Sequence, residues 1–395
     1  MTKKALLLCA SHNDLGLIWS LRKLGFYVLA TGNAPGLIGE PYVDEYIQAD
    51  YSDKELILGI AAREKVDVIC HCCNDFGVYT AAYVAEKLGL PGYDSYETTL
   101  TLNNKDRFKQ FAAANGITTP RAEMFTDRQA AYEHVKGAAY PLIVKPVDCS
   151  AGNGIHKAEN AEEAAWAVDK AFERSRAGRI VIEPYITGTQ HGFCTFLHNQ
   201  KVVAHCSNNE YSILNPYRVE IDTFPADNDG EVSAILIEQI EKMAELLDLH
   251  DGIFHLQYIA DEHGVPQIIE VMRRAIGNMY WYPAEKLTGF DWNYWEVRAR
   301  CGLSCEEVPT GCRQEGFYAY KTILAPGNGT IRSITIPDKY KKDLMDVVLL
   351  KNVGDDITHH ESEPVGFLFL NFRTRDEMKR VLIRGYDSSM VELAE

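Results

Sequence analysis

The chain has 395 residues, 46% of them hydrophobic and 24% charged, with a formal net charge of −16. That length predicts two or three domains with a large core, and the acidic balance argues against a nucleic-acid partner, because phosphate contacts need clustered Lys and Arg. No apolar run reaches the ~18 residues of a membrane span. The N-terminus "MTKKALLLCASHND" has too short an apolar core for a secretory signal, and ten cysteines without disulfide-type spacing predict reduced thiols in a cytoplasmic protein.

From Lys4 to Leu88 strands and helices alternate. "KALLLCA" and "FYVLATG" read as strands around a helix-like Leu15–Leu24. "VDEYIQAD" is a short strand, "DKELILGIAAREK" has helical spacing, "VDVICHCC" is the next strand, and "FGVYTAAYVAEKLG" is a helix stopping at Gly89. This alternation predicts a doubly wound parallel sheet, with ligands outside the carboxyl ends of its strands. Those ends carry His12 and Asn13, and Asn74 and Asp75. Cys70–Cys73 lack a second ligand pair at metal spacing and read as the end of a buried strand, so no zinc is predicted.

From Asn103 the pattern changes. Lys105 opens a helix that stops at Gly116, and "ITTPRAEMF" is extended. The stretch "PLIVKPVDCSAGNGI" places Lys145 at the end of a strand, before a turn of small residues from Cys149 to Gly154. Glycines let backbone N–H groups approach an anion and the lysine adds a point charge, which suits a phosphate. A helix capped by Asn160 follows, then the strands "RIVIEPYI", "GFCTFLHN" and "KVVAHCSNNEY". The helix "SAILIEQIEKMAELLDL" precedes a hairpin turned at His263-Gly264. The strands "GFYAYKTILA", "TIRSIT", "DVVLLKN" and "PVGFLFLNF" and a last helix after "TRDE" complete the chain.

Several polar residues stand out in this frame. Glu183 ends an apolar strand before Pro184, Tyr185 and Ile186, a mix that suits a purine whose amino group needs an acceptor. Gln257 and Glu270, on the two arms of the hairpin, face one side if the strands pair, and both offer oxygen to a hard cation. Arg274 either clamps a phosphoryl or carboxylate oxygen or pairs with Glu270. Tyr280, Trp281 and Tyr282 line a pocket, cover a sugar or belong to the core. Tyr217 and Arg218 lie on a loop over the site, where Arg218 suits a carboxylate.

In this order the motifs resemble the ATP-grasp superfamily over nearly the whole chain. "LGLPGYDSYETTLTLNNKDRFKQFAAANGITTPR", "VKPVDCSAGNGI", "IEPYITGTQ" and "GIFHLQYIADEHGVPQIIEVMRRAIGN" match successive family segments. "APGNGTIRSI", "VGDDI" and "VGFLFLNFRTRDE" resemble the C-terminal module of L-amino-acid ligases. The resemblance implies an α/β chain: a doubly wound N-terminal domain over residues 1–102, an ATP-grasp domain over 103–308 and a C-terminal α+β module over 309–395. It implies that Lys105, Lys145, Ser150, Gly152, Gly154, Glu183, Tyr185, Ile186 and Gln190 bind ATP, and that Gln257 and Glu270 hold Mg²⁺, with Mn²⁺ as the substitute ion. Arg274 and Lys145 would be catalytic, and Arg218, Gly277 and Asn278 would touch substrate.

The implied reaction is ADP-forming ligation of a small-molecule carboxylate to an amine through an acyl phosphate, by a cytoplasmic protein with no nucleic-acid or membrane partner, expected as a homodimer. Carboxylation and a non-catalytic ATP-binding protein are the alternatives. A plain Rossmann oxidoreductase is disfavoured, because "ASHNDLG" lacks the G-x-G-x-x-G turn. Three positions depart from the family pattern. Gln190 stands where a ribose-binding Glu is usual, Gln257 where a metal-binding Glu is usual, and Met272 where many members have a metal-binding Asn. An amide is a weaker ligand for Mg²⁺ than a carboxylate, and a thioether is none.

Overall fold

The N-terminal apolar runs form strands β1 (Lys4–Leu7), β2 (Tyr27–Gly32), β3 (Glu45–Gln48) and β4 (Val68–Cys70), all parallel in the order β3-β2-β1-β4. Ala5, Leu6 and Leu7 are wholly buried, as a strand covered on both faces requires. Helices α1 (Leu15–Lys23), α2 (Lys54–Glu64) and α3 (Asp75–Leu88) cross between them. Asn74 caps α3 by accepting from the Phe76 N–H, and Gly89 ends it in the left-handed conformation. The computed structural model describes residues 2–149, 152–385 and 387–394.

Next in the chain come α4 (Tyr96–Asn103) and α5 (Lys105–Asn115). A small antiparallel sheet, ordered β5-β8-β6-β7, follows from β5 (Glu123–Phe125), β6 (Leu142–Pro146), β7 (His156–Ala158) and β8 (Ile180–Pro184). Its apolar face packs on α6 (Arg128–Lys136) and α7 (Ala161–Arg174), the latter capped by Asn160 as expected.

The largest sheet is antiparallel and has eight strands. They are β9 (Gly188–His198), β10 (Lys201–Tyr211), β11 (Ile221–Phe224), β12 (Gly252–Asp261), β13 (Pro266–Met272), β14 (Phe317–Ile323), β16 (Leu344–Leu349) and β18 (Gly366–Phe372), in the order β13-β12-β9-β10-β11-β14-β18-β16. Strands β15 (Gly329–Ile334), β17 (Asp356–Ile357) and β19 (Val391–Leu393) make a separate small sheet. Because side chains alternate across a strand, Phe193, Leu197, Phe254 and Leu256 face α5 and α8 (Asp229–Leu246). The opposite face changes character along its length. Phe196, Ala204, Phe224 and Ile253 pack beneath α9 (Trp281–Thr288) and α10 (Trp292–Arg300). Gln190, Gly192, Asn208, Glu210, Asp222 and Gln257 continue that face as polar or open ground.

Helices α9 and α10 were not evident from apolar spacing. Trp292, Asn293, Trp295, Glu296, Val297, Ala299 and Arg300 of α10 are all buried, so it has no single apolar stripe. The aromatic cluster resolves accordingly. Trp281 lies edge-on to Trp19 with ring centroids 5.8 Å apart, and Tyr282 edge-on to Phe369 at 4.9 Å. Both pack against the core, and Tyr280 alone of the three lines the cleft described below.

Buried charge pairs join the parallel sheet to the large one. Glu296 of α10 hydrogen-bonds His71 Nε2 at 2.7 Å and accepts from Arg300 Nε at 2.9 Å. Arg300 also donates to the carbonyl of Gly92 at 2.7 Å. Arg273 Nε donates to Asp94 at 2.9 Å and its Nη1 to the Ile253 carbonyl at 2.7 Å. Burial alone would raise the Glu296 carboxyl, but Arg300 and His71 outweigh it and hold it at about 2. A carboxyl depressed in the folded state stabilises fully above its unfolded value, near 4.5, and this contribution disappears as the pH falls toward about 2. Glu296→Gln takes from buried Arg300 the one carboxylate it is hydrogen-bonded to among the described residues, leaving only the more distant charge of Asp94. It is expected to cost about 3–5 kcal/mol, read as a lowered urea midpoint at pH 7, with a much smaller difference from wild type at the acid end of the range.

Candidate active site

The loops after β1 and β4, the turn after β6 and the polar half of the large sheet enclose a cleft of about 670 Å³. Lys105, Lys145, Gly152, Glu183, Tyr185, Ile186, Gln190, Arg218, Gln257, Glu270, Arg274, Gly277 and Asn278, all singled out from sequence, line it. Asn13, Asn74 and Asp75, from the predicted carboxyl ends of the parallel strands, line it as well. Gly154 is not among the lining residues. Its φ is +75°, and a Cβ there would come within 3.1 Å of Arg174 and Pro146, so this glycine serves the turn itself. Ser150 lies outside the described residues.

At one end of the cleft, cations and anions are buried together. Lys105 opens α5 and is 6% exposed; its Nζ donates to Glu270 Oε1 at 2.7 Å and to the Cys149 carbonyl at 2.8 Å. Burial pulls the Lys105 amine down, but Glu270 and Asp75 outweigh that and hold it above its ordinary value. Lys145 pairs with Glu183 Oε1, and Lys109, on the next turn of α5, lies 3.1 Å from Glu183 Oε2. Both oxygens of Glu183, the acceptor expected for a purine amino group, are thus already engaged by ammonium groups. Lys109 is pushed down to about 8 by burial and by its neighbour Lys145, against the pull of Glu183. Lys105 and Glu183 are therefore not solvated surface charges.

The glycine turn is held against a second loop. Gly152 has φ +74°, and a Cβ on it would lie 2.3 Å from the Tyr217 carbonyl oxygen. Tyr217 in turn accepts from the Lys157 N–H at 2.7 Å through its hydroxyl. Lys157 Nζ sits 4.1 Å from the ring centroid of Tyr185, a cation–π contact on the same wall.

Arg274 pairs with Asp75 rather than with Glu270. Its Nε donates to Asp75 Oδ1 at 2.6 Å, Nη1 to the Ala275 carbonyl at 3.0 Å and Nη2 to Met272 Sδ at 3.2 Å. Asp75 stands at the N-terminus of α3, so the parallel sheet orients an arginine carried by the large one. Met272, where the family resemblance implies a metal-binding Asn, instead offers its sulfur as a soft acceptor to that guanidinium.

On the floor, Gln257 and Glu270 face each other in register across β12 and β13. Gln257 reaches over Gly192, on the strand between, and its Nε2 donates to both oxygens of Glu210 at 2.9 and 2.8 Å. Gln190 Nε2 donates to Glu210 Oε2 at 2.6 Å. Glu210 stands opposite Asp222 in the β10–β11 register. Asp222 accepts from Asn208 Nδ2 at 2.9 Å and from the Tyr320 hydroxyl. Burial raises both carboxyls: Asp222 stands well above its ordinary value, with Glu210 raising it further, and Glu210 is raised with help from Glu270.

These donors fit one Mg²⁺ and not two. Gln257 commits its amide N–H groups to Glu210, which leaves its carbonyl oxygen free, and Glu270 supplies a carboxylate. Met272 offers sulfur already engaged by Arg274, and hard cations do not take thioethers.

Glu210, Asp222, Lys109, His255 and Tyr320 were not singled out from sequence. The signal available for the two acids was local: Glu210 alternates with Asn208 in one strand, and Asp222 sits between Ile221 and Thr223 in another. Polar residues at positions where a strand's neighbours are buried are the exception that marks a site.

Residues 103–215 match the family model of the phosphoribosylglycinamide synthetase ATP-grasp (A) domain. The chain has the ATP-grasp fold. Among solved structures it is similar to an L-amino acid ligase from Bacillus licheniformis, with a TM-score of 0.83 and 20% identity over 100% of both chains. It is also similar to the phosphoribosylglycinamide synthetase of Anaerococcus prevotii, with a TM-score of 0.75 and 18% identity over 100% of both. The biotin carboxylase domain of Hydrogenobacter thermophilus 2-oxoglutarate carboxylase has a TM-score of 0.78 at 21% identity, over 99% of this chain and 92% of that one. Among curated proteins, the carbamoyl phosphate synthase large chain of Clostridium beijerinckii is 21% identical over 65% of this chain but only 24% of its own length. The phosphoribosylamine–glycine ligase of Xylella fastidiosa is 22% identical over 68% of this chain and 66% of its own. The chain therefore spans about a quarter of the first of these relatives and two thirds of the second.

The floor depends on the missing side chain at Gly192, where a Cβ would lie 2.4 Å from Asn208 Oδ1. Both flanking strands are hydrogen-bonded through this point and cannot move apart freely. Gly192→Ala is expected to cost about 1–3 kcal/mol by overpacking, and an unchanged melting temperature in calorimetry would refute this packing.

Proposed function

We propose that the protein is an ATP-dependent, ADP-forming ligase that activates a carboxylate as an acyl phosphate and joins it to an amine. One observation carries the reading: two lysines, the Gln257–Glu270 pair suited to one cation and an arginine converge from four separate segments on one cleft. The carbamoyl phosphate synthase, phosphoribosylamine–glycine ligase and L-amino acid ligase likenesses support it. In this reading residues 1–102 supply Asp75, residues 103–308 bind nucleotide and residues 309–395 complete the acceptor end with Tyr320.

The chemistry asks for placement and charge neutralisation. A carboxylate oxygen attacks the γ-phosphorus of ATP and ADP leaves; the amine nitrogen then attacks the acyl carbon and phosphate leaves. On arrival of ATP, Lys105 and Lys145 exchange Glu270 and Glu183 for phosphate oxygens. The Gly152 turn and the Tyr217 loop cover the phosphates and keep water from the acyl phosphate. Glu270 and the Gln257 carbonyl would hold Mg²⁺, which when bound neutralises phosphoryl charge. Tyr185 and Ile186 cover the base, and Gln190 faces the ribose. Arg274 has two N–H groups beyond those bound to Asp75, Ala275 and Met272, and these serve the acyl phosphate and the oxyanion. Gly277 and Asn278 border that point, and Arg218, half-buried and in no ion pair among the described residues, suits an anionic group of the substrate.

The test is phosphate release with ATP and Mg²⁺ against pools of amino acids, hydroxy acids, amino sugars and bicarbonate, alone and in pairs. Release that requires one carboxylate and one amine is the expected outcome. Release with bicarbonate alone would move the protein to carboxylation, for which the biotin carboxylase likeness gives a precedent. ATP binding with no release in any pool would identify a nucleotide-binding protein without catalysis. With a productive pair in hand, Arg274→Ala is expected to lower turnover by roughly 10²–10³, and unchanged turnover would remove Arg274 from the mechanism.

A further inference from the structure

Nearly every acid that reaches the cleft has a cation beside it. Glu183 has Lys145 and Lys109, Glu270 has Lys105 and Asp75 has Arg274. Glu210 and Asp222 are the exceptions among the described residues. They are 9% and 3% exposed, stand side by side in register, and among the described residues take hydrogen bonds from the neutral groups of Gln190, Gln257, Asn208 and Tyr320. Burying carboxylates without a cation is expensive, and nothing in the packing of β10 on β11 requires it.

A second observation points to a ligand at the same wall. His255 is 2% exposed and lines the cleft, yet its Nδ1 has no hydrogen-bond partner among the described residues. It lies edge-on to Tyr280, with centroids 5.8 Å apart. Tyr280 donates to Asn208 Oδ1 at 3.0 Å, and Asn208 donates to Asp222. The unused nitrogen and the unpaired acids thus belong to one connected wall.

We propose that Glu210 and Asp222 form the subsite for the ammonium group of the amine substrate, with His255 as a further acceptor on that wall. The inference rests on the ligase reading for the fate of the amine, not for its binding. An organic ammonium fits better than a metal ion. Among the described residues no group of three or more His, Cys, Asp and Glu side chains is placed to hold a metal. The Gln190, Gln257 and Asn208 amides also turn N–H groups toward the acids, leaving few oxygens for the six or more that a hard cation takes. An ammonium needs only three acceptors, and Arg274 on the adjoining ground faces the reacting carboxylate.

The experiment is calorimetric titration of the ADP-bound protein with three matched probe pairs: L-alanine and L-lactate, putrescine and 1,4-butanediol, glucosamine and glucose. At least one ammonium compound is expected to bind tenfold or more tighter than its hydroxyl counterpart. Asp222→Asn is expected to reduce that preference tenfold or more while ADP affinity stays within twofold. Should Asp222→Asn fail to bind ADP, Tyr320→Phe, which removes a hydroxyl that donates to Asp222 and accepts from Asn278, is expected to weaken the preference in the same direction. No preference in any pair, or a preference that survives these variants, overturns the subsite. So does binding of Mn²⁺ alone that Asp222→Asn abolishes, since the pair would then hold a metal. Discrimination among the probes without phosphate release in any pool would keep the subsite and retire the ligase, and ligation without discrimination would do the reverse.

Discussion

The cleft depends on the parallel sheet and the large antiparallel sheet being held in fixed relation, and buried charge does this. Glu296, His71 and Arg300 form one clamp, and Arg273 with Asp94 forms another. Apolar contact between the sheets is non-directional and tolerates sliding, whereas a guanidinium bonded to a carboxylate and to named carbonyls has one geometry. The consequence reaches the site directly. Arg273 belongs to the clamp and its neighbour Arg274 to the cleft, so fixing one side chain aims the other at Asp75.

Within the cleft the same logic holds at closer quarters. Lysines that would meet phosphate rest on Glu270 and Glu183, so the site is nearly neutral before a nucleotide arrives, and phosphate competes with carboxylate for each ammonium group. Such exchange keeps the lysines charged and oriented despite burial, which otherwise drives an amine toward neutrality; Lys109, with two lysines near it and one acid, shows how far that goes. Gln257 changes the balance again. It brings an amide to the floor rather than a charge, and bonds to the carboxyl of Glu210, two strands away, across the gap left by Gly192.

Much of this was legible from residues in order. The alternating first sheet, Gly89 and Gly116 as helix stops, Asn160 as a cap, the hairpin at His263-Gly264 and the lysine before a glycine turn all rest on interactions within a few residues, which sequence displays. Helix α10 was not legible because it is buried on several sides and loses the apolar stripe that marks a surface helix, and α9, though it buries one face, is only eight residues long, too short for its spacing to stand out. The aromatic run at Tyr280 left pocket and core open, and packing against Trp19 and Phe369 decided for core in two of its three members.

The sequence by itself determined the class of fold, the elements that carry the site and most of its candidate residues, because periodicity, capping and turn chemistry are local and their order along the chain is informative. Only the tertiary structure decided which charges meet. Arg274 turns to Asp75 rather than Glu270, Glu183 is shared by Lys145 and Lys109, and Glu210 faces Asp222 with no cation paired to either among the described residues. Those pairings follow from strand register and from contacts between residues as far apart in sequence as 75 and 274. Nothing local encodes them; they exist only once the sheets have closed on one another.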